Sequence, residues 1–290
     1  MLIPDALRAL LEDGLVQEVV RPLKSGKEAA VFIVVAEDQR CAAKVYKQAH
    51  QRNFRQRQDY VEGRSGGDTR EQRAMSRGSR FGKQASEEAW QTAEVRAMNT
   101  LAAAGVRIPR PRALLEGGIL LMDLVVGADG EPAPQIATVR YRREEAVRTH
   151  LIIMHQIAGM LRAGLVHADL SEFNILAAAD GPIIIDLPQA VDAARNNNAK
   201  RLLLRDVANV TRFFARFAPE LRRTQFGEEM WLLHEHAQLR ADLVLSGRFQ
   251  AARGTVDAQV VLRAIEDAKR EAAQREEVKR WREERRRPGT

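Results

Sequence analysis

Between Gly127 and Pro134 the chain changes character, and that change constrains its fold more than any other single feature. Before it, short β-branched segments alternate with tight turns. Val16–Leu23, Ala30–Ala36 and Cys41–Tyr46 read as a meander, and Ala113–Leu115 with Ile119–Leu124 as a hairpin around Gly117-Gly118. After it, apolar residues recur at helical spacing over 143–163, 199–217, 226–246 and 256–285, interrupted only by a short β region, Asn174–Ala178 and Ile183–Asp186. An amphipathic helix carrying Leu7, Leu10 and Leu11 opens the chain and stops at Gly14. Ser86-Glu87-Glu88 has the signature of a helix start, Ser at the cap and acids in the first turn, with the helix running to about Ala104. The expectation is an α+β chain of two lobes. Residues 1–126 form an antiparallel β-sheet lobe with one main helix and a flexible basic loop over 50–86, 127–136 a link, 137–268 a helical lobe and 269–290 a charged tail. A cleft between two such lobes is where small ligands bind.

The chemistry concentrates in Leu165-Val166-His167-Ala168-Asp169-Leu170-Ser171-Glu172-Phe173-Asn174-Ile175-Leu176 and, a few residues on, in Ile183-Ile184-Ile185-Asp186. The spacing H-x-D-L-x-x-x-N followed by a β-rich run ending in Asp matches the catalytic loop and metal strand of protein-kinase-like enzymes. Phosphoryl transfer needs one carboxylate near the acceptor and a pair of oxygen ligands for Mg2+. Asp169 suits the first role, Asn174 and Asp186 the second. A polar loop joining two helices would explain a single Asp, but not the constellation. Upstream, Lys44 lies on the third strand, where a lysine reaches the α- and β-phosphates of ATP and pairs with a helix Glu. Glu94, one turn after Trp90, is the candidate partner. The turn Lys24-Ser25-Gly26-Lys27-Glu28 sits where kinases place a glycine-rich phosphate loop. It has one glycine, so the G-x-G-x-x-G fingerprint is absent, and Ser25, Gly26 and Lys27 are the phosphate contacts it offers.

With these residues assembled, the sequence resembles the Rio family of atypical protein kinases, the first Rio subfamily more than the second. The resemblance covers most of the chain. It is carried by Ser25-Gly26-Lys27-Glu28-Ala29, Ala43-Lys44-Val45-Tyr46, Trp90 with Glu94, Leu121-Met122, Pro132-Ala133-Pro134 and the run Val166–Leu176. It continues through Ile184-Ile185-Asp186, Gln189-Ala190-Val191 and Asp206-Val207-Ala208-Asn209-Val210 with Phe213-Phe214. Lys24 stands where Ser is expected, and Pro188 where the first subfamily usually has Ser. The resemblance implies a trimmed kinase fold that lacks the activation-loop and peptide-binding elements. It implies ATP and Mg2+ as cofactors, with Mn2+ as an alternative metal. Adenine would bond to backbone at Asp123 and Val125, with Met122 as the gate residue. Ser171 joins Asp169, Lys44 and Glu94 as a catalytic candidate. Ala168 replaces the Arg that in most protein kinases grips an activation-loop phosphate. In the family the metal-binding Asp itself accepts phosphate, which makes Asp186 a candidate phospho-acceptor.

Composition narrows the partners. The chain carries a net +7, yet 50–86 holds +5 and 269–287 holds +4, so the remainder is near −2. Those two segments are the expected contacts for RNA or a ribosomal particle, since clustered Lys/Arg give salt-dependent phosphate binding. For 269–290, a solvated charged helix is the competing reading. An unidentified protein is the expected substrate. A small-molecule phosphotransferase of the aminoglycoside or choline kinase type, and an ATP-gated assembly factor, are the alternatives. Trp231, His234 and His236 read as packing or surface residues, as do Phe213, Phe214 and Phe217. Hydrophobic residues at 45% and charged residues at 29% exclude disorder throughout. The longest apolar run, Ile119–Val126, contains Asp123 and falls far short of the ~20 residues of a membrane span. Pro4, Asp5 and Arg8 occupy the place of an export signal's apolar run, and Cys41 is the single cysteine. The expectation is a cytoplasmic protein without membrane contact.

Overall fold

The computed structural model describes residues 3–26, 29–47, 80–115 and 117–249, with side chains from residue 91 onward in the helix that begins at Arg80. Strands β1 (Glu18–Ser25), β2 (Ala29–Ala36) and β3 (Gln39–Tyr46) form the expected meander. Ala36 pairs with Gln39 across Glu37-Asp38. Both turn residues have positive φ, 50° and 57°, as a tight two-residue hairpin of this hand requires. Strands β4 (Pro111–Leu115) and β5 (Ile119–Asp123) complete an antiparallel sheet of order β1-β2-β3-β5-β4. Period-two alternation splits β3 between two cores. Cys41, Ala43 and Val45 face helix α1 (Asp5–Glu12) and pack with Leu7, Leu10 and Val16. Tyr46 faces the other way and joins Met98 and Leu101 of helix α2 (Arg80–Ala103). Lys44 shares the Tyr46 side.

The second lobe is built on helices α3 (Arg143–Arg162) and α4 (Ala199–Phe214), whose Ile153, Met154, Leu161, Leu202, Val210 and Phe214 are buried together. Between them lie a two-residue pair, β6 (Leu165–Val166) with β9 (Val191–Asp192), and a hairpin, β7 (Ile175–Ala178) with β8 (Gly181–Ile184). Helix α5 (Phe226–Glu235) packs on α4 at Gly227, where an added Cβ would sit 2.8 Å from Leu204 Cδ2. Both lobes belong to one compact unit, Met1–Arg248. Their link is stitched to the hairpin: Ala177 N–H donates to the Pro134 carbonyl at 2.8 Å, and Gln135 Nε2 to the Phe173 carbonyl at 2.5 Å. Among the described residues no helix is long and apolar enough to cross a membrane.

The structure corrects several boundaries. Helix α2 begins at Arg80, six residues before the Ser86 cap, so the end of the basic 50–86 segment is helical. Helix α5 ends at Glu235, well short of 246. Ala237 there adopts φ 54°, and the chain folds back until Ser246 and Gly247 donate their N–H groups to the Glu229 carboxylate at 2.8 and 2.7 Å. Strand β8 stops at Ile184, which puts Asp186 in the turn beyond it. Lys27, Glu28, residues 48–79 and the helix expected over 256–285 lie outside the described residues, as does most of the Trp90 reading, since that side chain is not described.

Candidate active site

Lys44 sits mid-strand between Val31 of β2 and Leu120 of β5, so its backbone is held on both edges. Its ammonium donates to Glu94 Oε1 at 2.7 Å and to Asp186 Oδ1 at 2.9 Å. Glu94, from α2, is buried, and its other oxygen accepts the Tyr46 hydroxyl at 2.6 Å. Burial alone would pull the Lys44 pKa down. Glu94 and Asp186 outweigh it and hold the ammonium above its ordinary value. Burial would likewise raise Asp186, but Lys44 outweighs it and holds that carboxyl below the usual range. Three chain segments, β3, α2 and the turn after β8, thus meet at one cation.

The loop after β6 is fixed from two sides. His167 is buried, accepts the Asp169 N–H at Nδ1 (3.3 Å) and bonds the Ile185 carbonyl through Nε2 (3.1 Å). Those partners set the tautomer: Nδ1 must accept and Nε2 must donate. His167 therefore ties the Asp169 loop to the residue before Asp186. From the other side comes α4. The Asp206 carboxylate accepts the N–H groups of Ala168 (2.7 Å) and Leu170 (3.0 Å), Asn209 Nδ2 donates to the Leu170 carbonyl (3.1 Å), and the Arg205 guanidinium donates to the Ala168 carbonyl. Ala168 has φ 65° and Asp186 φ 69°, a region where side-chain-bearing residues are uncommon and need support from their surroundings. Burial pushes the Asp206 carboxyl up to about 6, against the pull of His167 and the two N–H groups. Asp169, between these anchors, is exposed to the cleft. Desolvation still raises its pKa, opposed by His167 and Arg205.

Asn174 Nδ2 donates to the Asp169 carbonyl at 2.9 Å, which fixes the amide orientation and leaves its oxygen to face another group. The Ile185 N–H donates to the Asn174 backbone carbonyl at 3.0 Å, which sets Asn174 beside the segment that carries the half-exposed Asp186 carboxylate. Among the described residues no cluster of three or more His, Cys, Asp or Glu side chains is arranged to hold a metal. A pair of oxygens fits a hard cation that keeps its waters and takes further ligands from phosphate. Ser171 is half-buried on the same loop, and its hydroxyl makes no hydrogen bond among the described residues. At the end of β5, Asp123 is clamped by Arg112 at 2.7 Å. The Val125 carbonyl accepts from Ala133 at 2.9 Å, while no described residue accepts the Val125 N–H. Met122 is half-buried and packs against the core between the lobes. Across the sheet from β5, Gly26 N–H donates to the Ala29 carbonyl at 2.9 Å, and Lys47 Nζ reaches the Gly26 carbonyl (2.6 Å) and Ser25 Oγ (3.3 Å).

Sequence reasoning had not placed Tyr46, Arg205, Asp206 and Asn209 at the site. Tyr46 is two residues from Lys44 on one strand face, a signal that was readable. The α4 residues lie more than thirty positions from the loop they hold; Asp206 and Asn209 stand in a run that carries the family resemblance, but no local pattern ties them to that loop.

A sheet lobe over a helical lobe, with a buried strand Lys–helix Glu pair above a His-x-Asp loop, is the arrangement of protein-kinase-like proteins. The comparisons with known proteins are more specific. The RIO domain profile matches residues 30–226. The RIO-type serine/threonine-protein kinase Rio1 of Haloferax volcanii is 34% identical over 216 residues, 73% of this chain and 68% of that protein. Serine/threonine-protein kinase RIO1 of Caenorhabditis elegans is 32% identical over 207 residues, 71% of this chain and 38% of its own length. The human protein of the same name is 32% identical over 209 residues, 71% of this chain and 35% of its own length. The match thus spans little more than a third of the two animal relatives. The chain belongs to the Rio family of atypical serine/threonine-protein kinases and fits its first subfamily. That membership sets it with protein kinases, not with the aminoglycoside or choline kinase type, and implies ATP and a divalent metal in general terms.

Proposed function

We propose that this chain transfers the γ-phosphoryl group of ATP, with Mg2+, to a serine or threonine hydroxyl on a protein, itself included. The observation that carries the reading is the Lys44 ammonium held at 2.7 Å from Glu94 and 2.9 Å from Asp186, whose neighbour Ile185 is tied through His167 to the Asp169 loop. Asp169 is the catalytic base. It accepts the proton of the acceptor hydroxyl as the oxygen attacks phosphorus and the bond to the ADP oxygen breaks. Lys44 binds the α- and β-phosphates, oriented by Glu94, and Ser171 faces the transferred group. Asn174 and Asp186 are the residues that would hold Mg2+, or Mn2+ in its place. When bound, the ion neutralises charge on the phosphates. Adenine bonds to backbone at Asp123 and Val125 behind Met122, and Ser25, Gly26 and Lys27 cover the phosphates. In this reading 1–126 is the nucleotide lobe, 127–136 the link, 137–268 the lobe carrying the base and 269–290 a tail. RNA or a ribosomal particle is the partner assigned to 50–86 and 269–290, supported by their net +5 and, over 269–287, +4. A cytoplasmic setting fits the single cysteine.

A second acceptor is favoured by one feature. The Asp186 carboxylate is half-exposed on a positive-φ backbone, beside the lysine that binds phosphate. Attack by its oxygen would leave an acyl phosphate and ADP, and hydrolysis of that bond would make the net reaction an ATPase. Incubation with labelled ATP and Mg2+ tests both. Labelled protein with acid-stable phosphate means Ser/Thr, and hydroxylamine-labile phosphate means Asp186. Neither label nor ADP would contradict the reading.

A further inference from the structure

The body of the fold is near neutral, but its charge is unevenly placed. Every ionisable side chain that α4 turns to solvent is basic: Lys200, Arg201, Arg205 and Arg212 are at least partly exposed, while the helix's single acid, Asp206, is buried against the catalytic loop. Arg201, Arg205 and Arg212, with the exposed Ala208 between the last two, recur at intervals of four, three and four and so line one face. One turn from its start that stripe touches the Asp169 loop, because Arg205 donates to the Ala168 carbonyl. The other end opens into a cavity of about 340 Å³ between α4, the 3-10 turn Pro219–Arg223 and α5. Arg212 and Arg222 stand in its wall with one acid, Glu228, which leaves the wall net positive, and Leu204, Val207 and Phe226 give it an apolar floor. Neither end uses the elements on which an ordinary kinase lays its peptide. After Asp186 the chain passes through β9 and enters α4 by Ala199, with no long loop between.

We propose that the outward face of α4, from Arg205 to the cavity at Arg212 and Arg222, docks an acidic segment of the protein substrate. The inference rests on the phosphoryl-transfer reading and adds the substrate's chemical class. Arg205 to Arg212 spans seven residues, about 10 Å along a helix, or about three residues of extended peptide. An acid about three positions from the acceptor meets Arg212, and an apolar neighbour fills the cavity. That apolar floor distinguishes an acidic peptide from a polyphosphate backbone, which has no side chain to place there.

The test is binding of a labelled peptide carrying one serine flanked by glutamates and a leucine, read by fluorescence anisotropy on the full chain. A lysine-for-glutamate peptide is the control. The Arg212→Glu/Arg222→Glu double variant is expected to bind the acidic peptide about tenfold more weakly, and Arg212→Gln/Arg222→Gln to fall between. Peptide-free ATP turnover and thermal midpoint should remain those of the parent, and the lysine peptide should not bind. Equal binding of acidic and lysine peptides, or no change in the double variant, overturns the proposal. So does an RNA oligomer that shows the same arginine dependence while the acidic peptide fails to compete. Absence of ATP turnover in the parent would count against the kinase reading alone, since the anisotropy result does not depend on it.

Discussion

A buried ammonium survives only where anions hold it, and Lys44 has two. The consequence at residue scale falls on Tyr46. Its hydroxyl is a partner of the second Glu94 oxygen at 2.6 Å, inside a region closed to water. Tyr46→Phe is expected to cost about 1–3 kcal/mol of stability, as a buried charged acceptor loses a donor. It should weaken ATP turnover less than Lys44→Met does, because Lys44 keeps its bond to Glu94. Chemical denaturation and turnover on the two variants check this ordering, and an unchanged Tyr46→Phe midpoint contradicts it. Lys44 was legible because a strand lysine gains meaning from a His-x-Asp loop further on. Tyr46 was readable from its place two residues along the same strand face, but it was passed over because β propensity already explains an aromatic on a strand.

At the scale of elements, α4 is the clamp that holds the Asp169 loop. Asp206 satisfies two N–H groups on either side of Asp169, and Ala168 keeps its positive φ within that grip. In Asp206→Asn one oxygen becomes an NH2 that faces an N–H, so at least one bond is lost. Turnover is expected to fall about 10–100-fold, in keeping with a misplaced base, with nucleotide affinity little changed. Loss of affinity with turnover per bound ATP retained would show that the clamp serves the nucleotide instead. Strand Ile175–Ala178 and α3 were readable from their own residues, whereas the second strand of the hairpin was expected at 183–186 and lies at Gly181–Ile184. The β6–β9 pair was not, since two residues per strand carry no period. The end of α5 was also illegible, because the cap that closes it is built on a left-handed Ala237, with the Ala237 N–H on the His234 carbonyl and the Gln238 N–H on the Leu233 carbonyl, where a glycine would have announced it.

For the whole molecule, two buried groups give stability opposite dependences on pH. His150 is buried, shares a hydrogen bond with Thr211, and has its pKa lowered by burial from 6.5 to about 4. Its contribution is complete above pH 6.5 and is lost as pH falls toward 4. Asp206 is raised from 3.8 to about 6, so its contribution weakens as pH rises through that window. At about 1.4 kcal/mol per unit, each is worth roughly 3 kcal/mol across its range. His150→Gln should therefore be less stable than the parent at pH 7 and close most of that gap by pH 4.5, as read from denaturant midpoints. A gap independent of pH would mean that His150 does not titrate on unfolding.

The two-lobed plan was legible because its strands and helices lie on opposite sides of one Gly/Pro link, while the contacts across the cleft were not, since Lys44 and Asp186 meet from positions 142 apart. The central claim is that this cleft moves a phosphoryl group with Asp169 as base. Its most direct test compares ATP turnover and nucleotide affinity in the parent and in Asp169→Asn, on the full chain with Mg2+. The expected result is turnover reduced about 10²–10⁴-fold with affinity unchanged. Turnover equal to the parent's would contradict the account.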